Sequence, residues 1–150
     1  MATSYAEVFS AFMAKKNDYE ISLLDDDVIE ADNTALLNRV IPQFRYPRVD
    51  IWDKDDVRQC FNNELTYEEI HVLSQLMICE WLKRTIYNTD VLIQKFGETD
   101  FEFKSQANHL KAQVQAYENL AKIDAKTAIS NYSKSYKGTM FNYQQLAGKK

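Results

Sequence analysis

The run LTYEEIHVLSQLMICEWLKRTIYN, residues 65–88, constrains this chain more than any other stretch. Thr66 is placed to cap a helix, Glu69 three residues on closes a capping box, and Leu65 with Ile70 has the spacing of a hydrophobic staple. Ile70, Leu73, Met77 and Trp81, then Arg84, follow one helical face, while Leu76, Cys79, Leu82 and Ile86 widen it. One neighbour cannot cover so wide an apolar surface, so the spacing predicts a central helix buried on more than one side.

Composition extends the helical reading to the whole chain. A β-sandwich or barrel needs turn residues at every reversal, and there are only 3 Gly and 2 Pro in 150 residues. The fold class expected is all-α: a helical bundle over residues 1–132, with one central buried helix and one long C-terminal helix, followed by an extended C-terminal arm over 133–150. Ser4 and Glu7 form a second capping box, and Tyr5, Val8, Phe9 and Phe12 share a face, predicting a helix from Tyr5 to Lys16. Tyr19 to Leu24 is compatible with either extended or helical backbone. A helix is predicted over Asp25 to Phe44, with Asp25, Asp26 and Asp27 in its first turn and a kink or stop near Pro42. Arg45 to Asn63 reads as a long connection with a short helical turn near Asp55 to Cys60. Thr89 is placed to cap a short helix from Asp90 to Phe96, ended by Gly97. The longest helix is predicted from Ser105 to Tyr132, with a stripe through Ala107, Leu110, Val114, Tyr117, Ala121 and Ala128 and with Leu120 and Ile123 beside it.

The residue types that carry catalysis are scarce and badly spaced. Asp53, Asp55 and Glu64 fit positions 1, 3 and 12 of a calcium loop, but Val57 and Arg58 occupy positions that need an oxygen ligand and a glycine. His71 and His109 lie on different predicted helices, without the partners of a zinc site. No phosphate-binding loop can be drawn from three scattered glycines. Cys60 and Cys79 sit in apolar contexts and form no CxxC pair, which predicts buried free thiols in a reducing compartment. Neither an enzyme activity nor a cofactor or metal is expected. The N-terminus lacks the pattern of a signal peptide and no apolar run is long enough to span a bilayer, so a soluble chain with no membrane partner is expected.

Charge divides along the chain. Residues 1–100 carry 10 basic and 19 acidic side chains, and residues 101–150 carry 8 basic and 3 acidic. This dipole can set subunits in register with opposite signs together, or it can reflect ordinary solvated helix faces. Net acidity argues against a general nucleic-acid surface, though Lys134, Lys137, Lys149 and Lys150 among tyrosines leave room for non-specific contact with DNA in a channel.

Within Val49 to Leu110 stand Asp55-Asp56, Cys60-Phe61-Asn62, Leu65 to Ile70, Leu76-Met77-Ile78, Glu80-Trp81-Leu82, Asp100-Phe101 and Ser105 to Leu110, and beyond them Asn131-Tyr132-Ser133. In these residues the chain resembles a family of small virion proteins from tailed bacteriophages. The family resembled is that of head–tail connector, or neck, proteins. The resemblance implies a non-enzymatic, oligomeric subunit that self-associates into a ring of about twelvefold symmetry beneath the portal. It also implies the portal protein and adjacent neck or tail proteins as partners, and a place in the virion after synthesis in the host cytoplasm. Lys137 to Lys150 matches no part of that pattern. Other readings are a tail or baseplate component, or a small intracellular helical adaptor or regulator. Interface candidates are Arg45, Tyr46, Arg48 and Trp52 in the connection, with core burial of Trp52 as the alternative, and Tyr136, Met140, Phe141 and Tyr143 in the arm.

Overall fold

The computed structural model describes residues 2–18, 29–45, 47–96 and 101–147, with 136–147 described as backbone alone. A two-residue strand β1 (Thr3–Ser4) leads directly into α1 (Tyr5–Asp18). Helix α2 (Ile29–Val40) passes into a single 3-10 turn at Ile41–Gln43, and the strands β2 (Lys54–Asp55) and β3 (Cys60–Phe61) follow. Two long helices, α3 (Tyr67–Phe96) and α4 (Phe101–Ala147), complete the fold.

The all-α bundle expected from the sequence is the architecture found, and α3 is its centre. Helices α1, α2 and α4 all pack on α3, and every α3 residue from Val72 to Leu82 is buried. Helix α1 contributes Tyr5, Val8, Phe9 and Phe12 to the same core, as its spacing predicts. It begins where expected, with the Ser4 hydroxyl accepting from the Ala6 backbone N–H at 3.2 Å. Leu36, Leu37, Val40, Ile41 and Phe44 are buried from the second helical segment. Its α-helical part ends at Val40, and Pro42 sits in the 3-10 turn that follows. The segment from Tyr19 to Val28, including Asp25 to Asp27, lies outside the described residues, as do Tyr46 and Gly97.

The connection corrects the expected helical turn near Asp55 to Cys60, because β2 and β3 pair there as a hairpin. Asp55 faces Cys60 and Lys54 faces Phe61 in antiparallel register, and β1 adds to the other side of β3. The turn is built by side chains rather than glycine. Asp55 Oδ1 accepts from the N–H groups of Val57 at 2.9 Å and Arg58 at 3.1 Å, and Gln59 takes the left-handed conformation with φ 55°. Asp56 then accepts from the Tyr5 hydroxyl at 2.7 Å, so the hairpin is tied to the first residue of α1.

Thr89 does not cap a new helix. Its hydroxyl donates back to the Thr85 carbonyl at 2.9 Å, and Thr85 donates to Trp81 at 3.0 Å, so both threonines satisfy themselves inside a continuous α3. Helix α4 also exceeds its expected limits, starting at Phe101 and running to Ala147. The arm expected to be extended from Ser133 is therefore helical as far as Ala147. Nucleation, the costly step, is already complete upstream, and the segment contains no proline and only Gly138 as a weak helix former before that point. The boundary expected after residue 132 thus falls within unbroken helix.

Small residues set the α3–α4 contact. Val114, Ala121, Ala125, Ala128 and Tyr132 are the buried positions of α4, and alanines let the two backbones approach closely. Leu110 and Tyr117 pack at the edge, while Leu120 and Ile123 are 56% and 59% exposed. Cross-contacts Asp90–Lys111, Gln75–Ala121 and Glu69–Tyr132 make the pair antiparallel. Tyr132 thus lies level with the first turn of α3, and α4 continues past that turn for about 20 Å at about 1.5 Å per residue.

Leu73, in the second turn of α3, is fully buried. Leu73→Ala is expected to lower unfolding free energy by about 2–5 kcal/mol through lost burial and cavity formation. Urea denaturation should show a lower midpoint with an unchanged slope; a change below 1 kcal/mol would contradict the central place of α3.

Candidate functional site

The densest polar arrangement lies where α3 begins. Thr66 caps the helix, and the Glu69 carboxylate turns back so that Oε2 accepts from the Thr66 N–H at 2.8 Å and its hydroxyl at 3.1 Å. Glu69 is 0% exposed, so its other oxygen also needs a donor, which is the Tyr132 hydroxyl at 2.9 Å. That hydroxyl in turn accepts from the Arg48 backbone N–H at 2.7 Å. The Arg48 guanidinium lies over the Tyr132 ring at 4.6 Å and donates to the Tyr132 carbonyl at 3.1 Å. Phe44 meets the same ring edge-on at 5.1 Å. Burial, with the hydrogen bond to Glu69, pushes the Tyr132 phenol up to about 12.

This network gives Arg48 a definite position among the expected interface residues: it clamps the connection onto α4 and approaches Glu68 at 3.9 Å. Arg45 is exposed, and Trp52 is 62% exposed, so Trp52 is a surface residue and not a core one. Tyr136, Met140, Phe141 and Tyr143 occupy helical backbone near the end of α4, and their side chains lie outside the described residues. Met140 and Tyr143 stand with Tyr136 at the three- and four-residue spacing of one helical face.

Beside the network, α3 and α4 leave an open groove of about 510 Å³ lined by Tyr67, Glu68, His71, Gln75, Asp124 and Asn131, among others. Lys15 on α1 borders His71. Its ammonium contacts Ser74 Oγ at 2.8 Å, His71 Nδ1 at 3.1 Å and the His71 carbonyl at 3.3 Å. Burial pulls the Lys15 amine down to about 8, with Asp124 opposing the shift. Burial, then the Lys15 charge, also lowers His71, and a neutral His71 is what lets Nδ1 accept from Lys15.

A serine beside a lysine invites a nucleophile reading, but the geometry is that of a tether. Ser74 is 0% exposed and donates its own proton to the His71 carbonyl at 2.9 Å. Its oxygen is therefore not presented to solvent, and the amine joins α1 to α3. Cys79 is buried and its thiol is pushed up to about 11 by burial, so it sits as a core thiol, while Cys60 is half-buried. Among the described residues no group of His, Cys, Asp or Glu is arranged to hold a metal ion, and no helix is long and apolar enough to cross a membrane.

The buried hub escaped the sequence reading. Thr66 and Glu69 were legible as a cap, but a cap alone does not show that the second carboxylate oxygen is buried and needs Tyr132 from a helix some sixty residues away. Tyr132→Phe removes the shared hydroxyl and is expected to destabilise the fold by about 1–3 kcal/mol in thermal or urea unfolding. An unchanged midpoint would show that the hub carries no net stability.

His71 has a lowered folded-state pKa, so the unfolded chain binds the proton more readily. Its contribution is present above the ordinary value of 6.5 and is lost as pH falls below it. His71→Gln should therefore flatten the fall in stability immediately below that pH relative to the parent chain, as read by melting temperatures across a pH series. Parallel curves would refute the assignment.

No known protein family, curated protein or solved structure matches the chain.

Proposed function

We propose that the protein is a structural subunit of a tailed-phage virion, a head–tail connector whose copies form part of the neck ring joining portal to tail. What supports this reading is the likeness of residues within Val49 to Leu110 to connector proteins, taken with the structural observation that α4 continues as helix past the first turn of α3. These residues include the hairpin, all of α3 and the start of α4. They are the frame on which the rest of the bundle packs.

Two physical features support an assembly role over catalysis. The polar clusters are spent on joining elements, with the hub holding the connection to α4 and Lys15 holding α1 to α3. Helix α4 carries helical backbone past the first turn of α3, which gives the protein an element able to reach a neighbour or the portal. In this reading the end of α4, with Tyr136, Met140, Phe141 and Tyr143, serves as a docking helix, and the ring adopts the portal's symmetry of about twelve.

Purified virions of the source phage should contain this chain in several copies, detected by quantitative mass spectrometry of gradient-purified particles. Native mass spectrometry of the chain with its cognate portal should show a stoichiometric complex. Absence from particles together with indifference to portal would replace the connector reading with that of an intracellular adaptor. Presence in particles without portal binding would place the chain in another tail layer.

A further inference from the structure

Helix α4 packs mainly on α3, which covers the side bearing Val114, Ala121, Ala125, Ala128 and Tyr132. The opposite side carries Leu120, Ile123, Lys126, Ser130 and Lys134 at three- and four-residue spacing, and all five are exposed. Leu120 and Ile123 are 56% and 59% exposed. Lys122, on the flank, is held by Glu118 at 2.8 Å, whereas Lys126 and Lys134 have no ion-pair partner among the described residues. The face is thus apolar at its centre and positive toward the C-terminal end.

A second surface has the opposite character. On and beside the β2–β3 hairpin, Trp52 is 62% and Val57 94% exposed. The segment from Asp50 to Glu64 holds five acids, Asp50, Asp53, Asp55, Asp56 and Glu64, against Lys54 and Arg58. Both bases are already used at home, Lys54 by Asp56 at 2.6 Å and Arg58 by Asp55 at 3.6 Å. Asp50, Asp53 and Glu64 leave this segment, with its exposed indole and exposed valine, net negative. An acidic segment that exposes a tryptophan and a branched aliphatic complements a helix face that exposes aliphatic side chains followed by two lysines.

We infer that the outward face of α4, centred on Leu120 and Ile123 with Lys126 and Lys134, docks on the hairpin of a second copy of this chain, against Trp52 and Val57 among Asp50, Asp53 and Glu64. The two patches lie on different elements of one molecule, so the contact is heterologous and propagates from copy to copy until a ring closes. Its biological use as a ring contact rests on the connector reading, but the contact itself is a property of the two surfaces. The joined patches are modest, so a single contact is weak and salt-sensitive, and closure of the ring supplies the avidity.

Sedimentation equilibrium of the full chain at low and high salt tests the contact without any other phage component. Mass-action self-association that weakens with salt is expected. Ile123→Asp and the pair Lys126→Glu with Lys134→Glu should each weaken it by about tenfold or more, with helical content unchanged by circular dichroism because all three positions are exposed. Mixing the Lys126→Glu, Lys134→Glu chain with one carrying Asp50→Lys, Asp53→Lys and Glu64→Lys should restore association that neither has alone. A chain that stays monomeric at high concentration, or that associates unaffected by these substitutions, overturns the inference. A monomeric chain still found in virions refutes this contact but not the connector reading. An associating chain absent from virions does the reverse.

Discussion

A buried carboxylate sets the terms for this structure. Glu69 is 0% exposed, and carboxyl oxygens that have left water must be compensated by hydrogen bonds. The capping geometry of Thr66 supplies donors to one oxygen from within the helix's own first turn. The other oxygen takes its donor from Tyr132 of α4, and Tyr132 can give that proton because its own lone pair accepts from the Arg48 backbone. Starting α3, fixing the register of α4 and anchoring the connection are thus one event. Had Glu69 been exposed, water would have satisfied it, and the alanine stripe of α4 would have had no polar contact at that end to set its register. Alanines pack closely but fit a neighbouring groove at more than one register, so the directional contact is what makes the pairing unique.

The same division of labour recurs across the bundle. Apolar side chains provide the bulk of the burial, and a few polar contacts choose the arrangement. Arg84 meets Asp32 through two bonds of 2.6 and 2.8 Å, which fixes α2 on α3 and holds the Asp32 carboxyl below its usual range. Gln43 donates to Glu80 at 3.0 Å, placing the end of the 3-10 turn on the same helix. Lys15 does this for α1, and it does so without a carboxylate in direct contact, so burial lowers its pKa and the more distant charge of Asp124 only opposes that shift. Every helix that touches α3 is thereby located by at least one side-chain contact as well as by shape.

How much of this was legible in the residues depended on how far each cause lay from its effect. The Thr66–Glu69 cap and the breadth of α3 were readable because cause and effect share a turn of helix. Thr89 misled because threonine serves equally as a cap and as a back-bonding interior residue; the deciding fact, a carbonyl four residues earlier, is available in both conformations. The hairpin was invisible because its strands are two residues long, too short for alternation, and its turn uses Asp55 and Gln59 in place of the usual glycine. The helical continuation beyond Tyr132 was missed because local pattern was weighed, whereas extending an existing helix asks little of each added residue. The hub could not be read at all, since it joins Arg48, Glu69 and Tyr132 across the chain.

The location of the hub bears on what the protein can do. Helix α4 exposes an outward face through Leu120, Ile123, Lys126, Ser130 and Lys134, and a long helix held at one end by apolar contacts alone would sample several orientations. The clamp at Tyr132 removes that freedom just before the backbone runs past α3, so the outward face and the projecting turns hold a set direction. An assembling subunit needs such pre-organisation, because orientational freedom lost on binding subtracts from affinity at every copy of the interface. Among the described side chains no buried nitrogen or oxygen lacks a partner, so the polar contacts that place the helices are internally complete. On the outside stand exposed apolar side chains on two elements, Leu120 and Ile123 on α4 and Trp52 and Val57 on and beside the hairpin, and the clamp at Tyr132 fixes the first pair relative to α3.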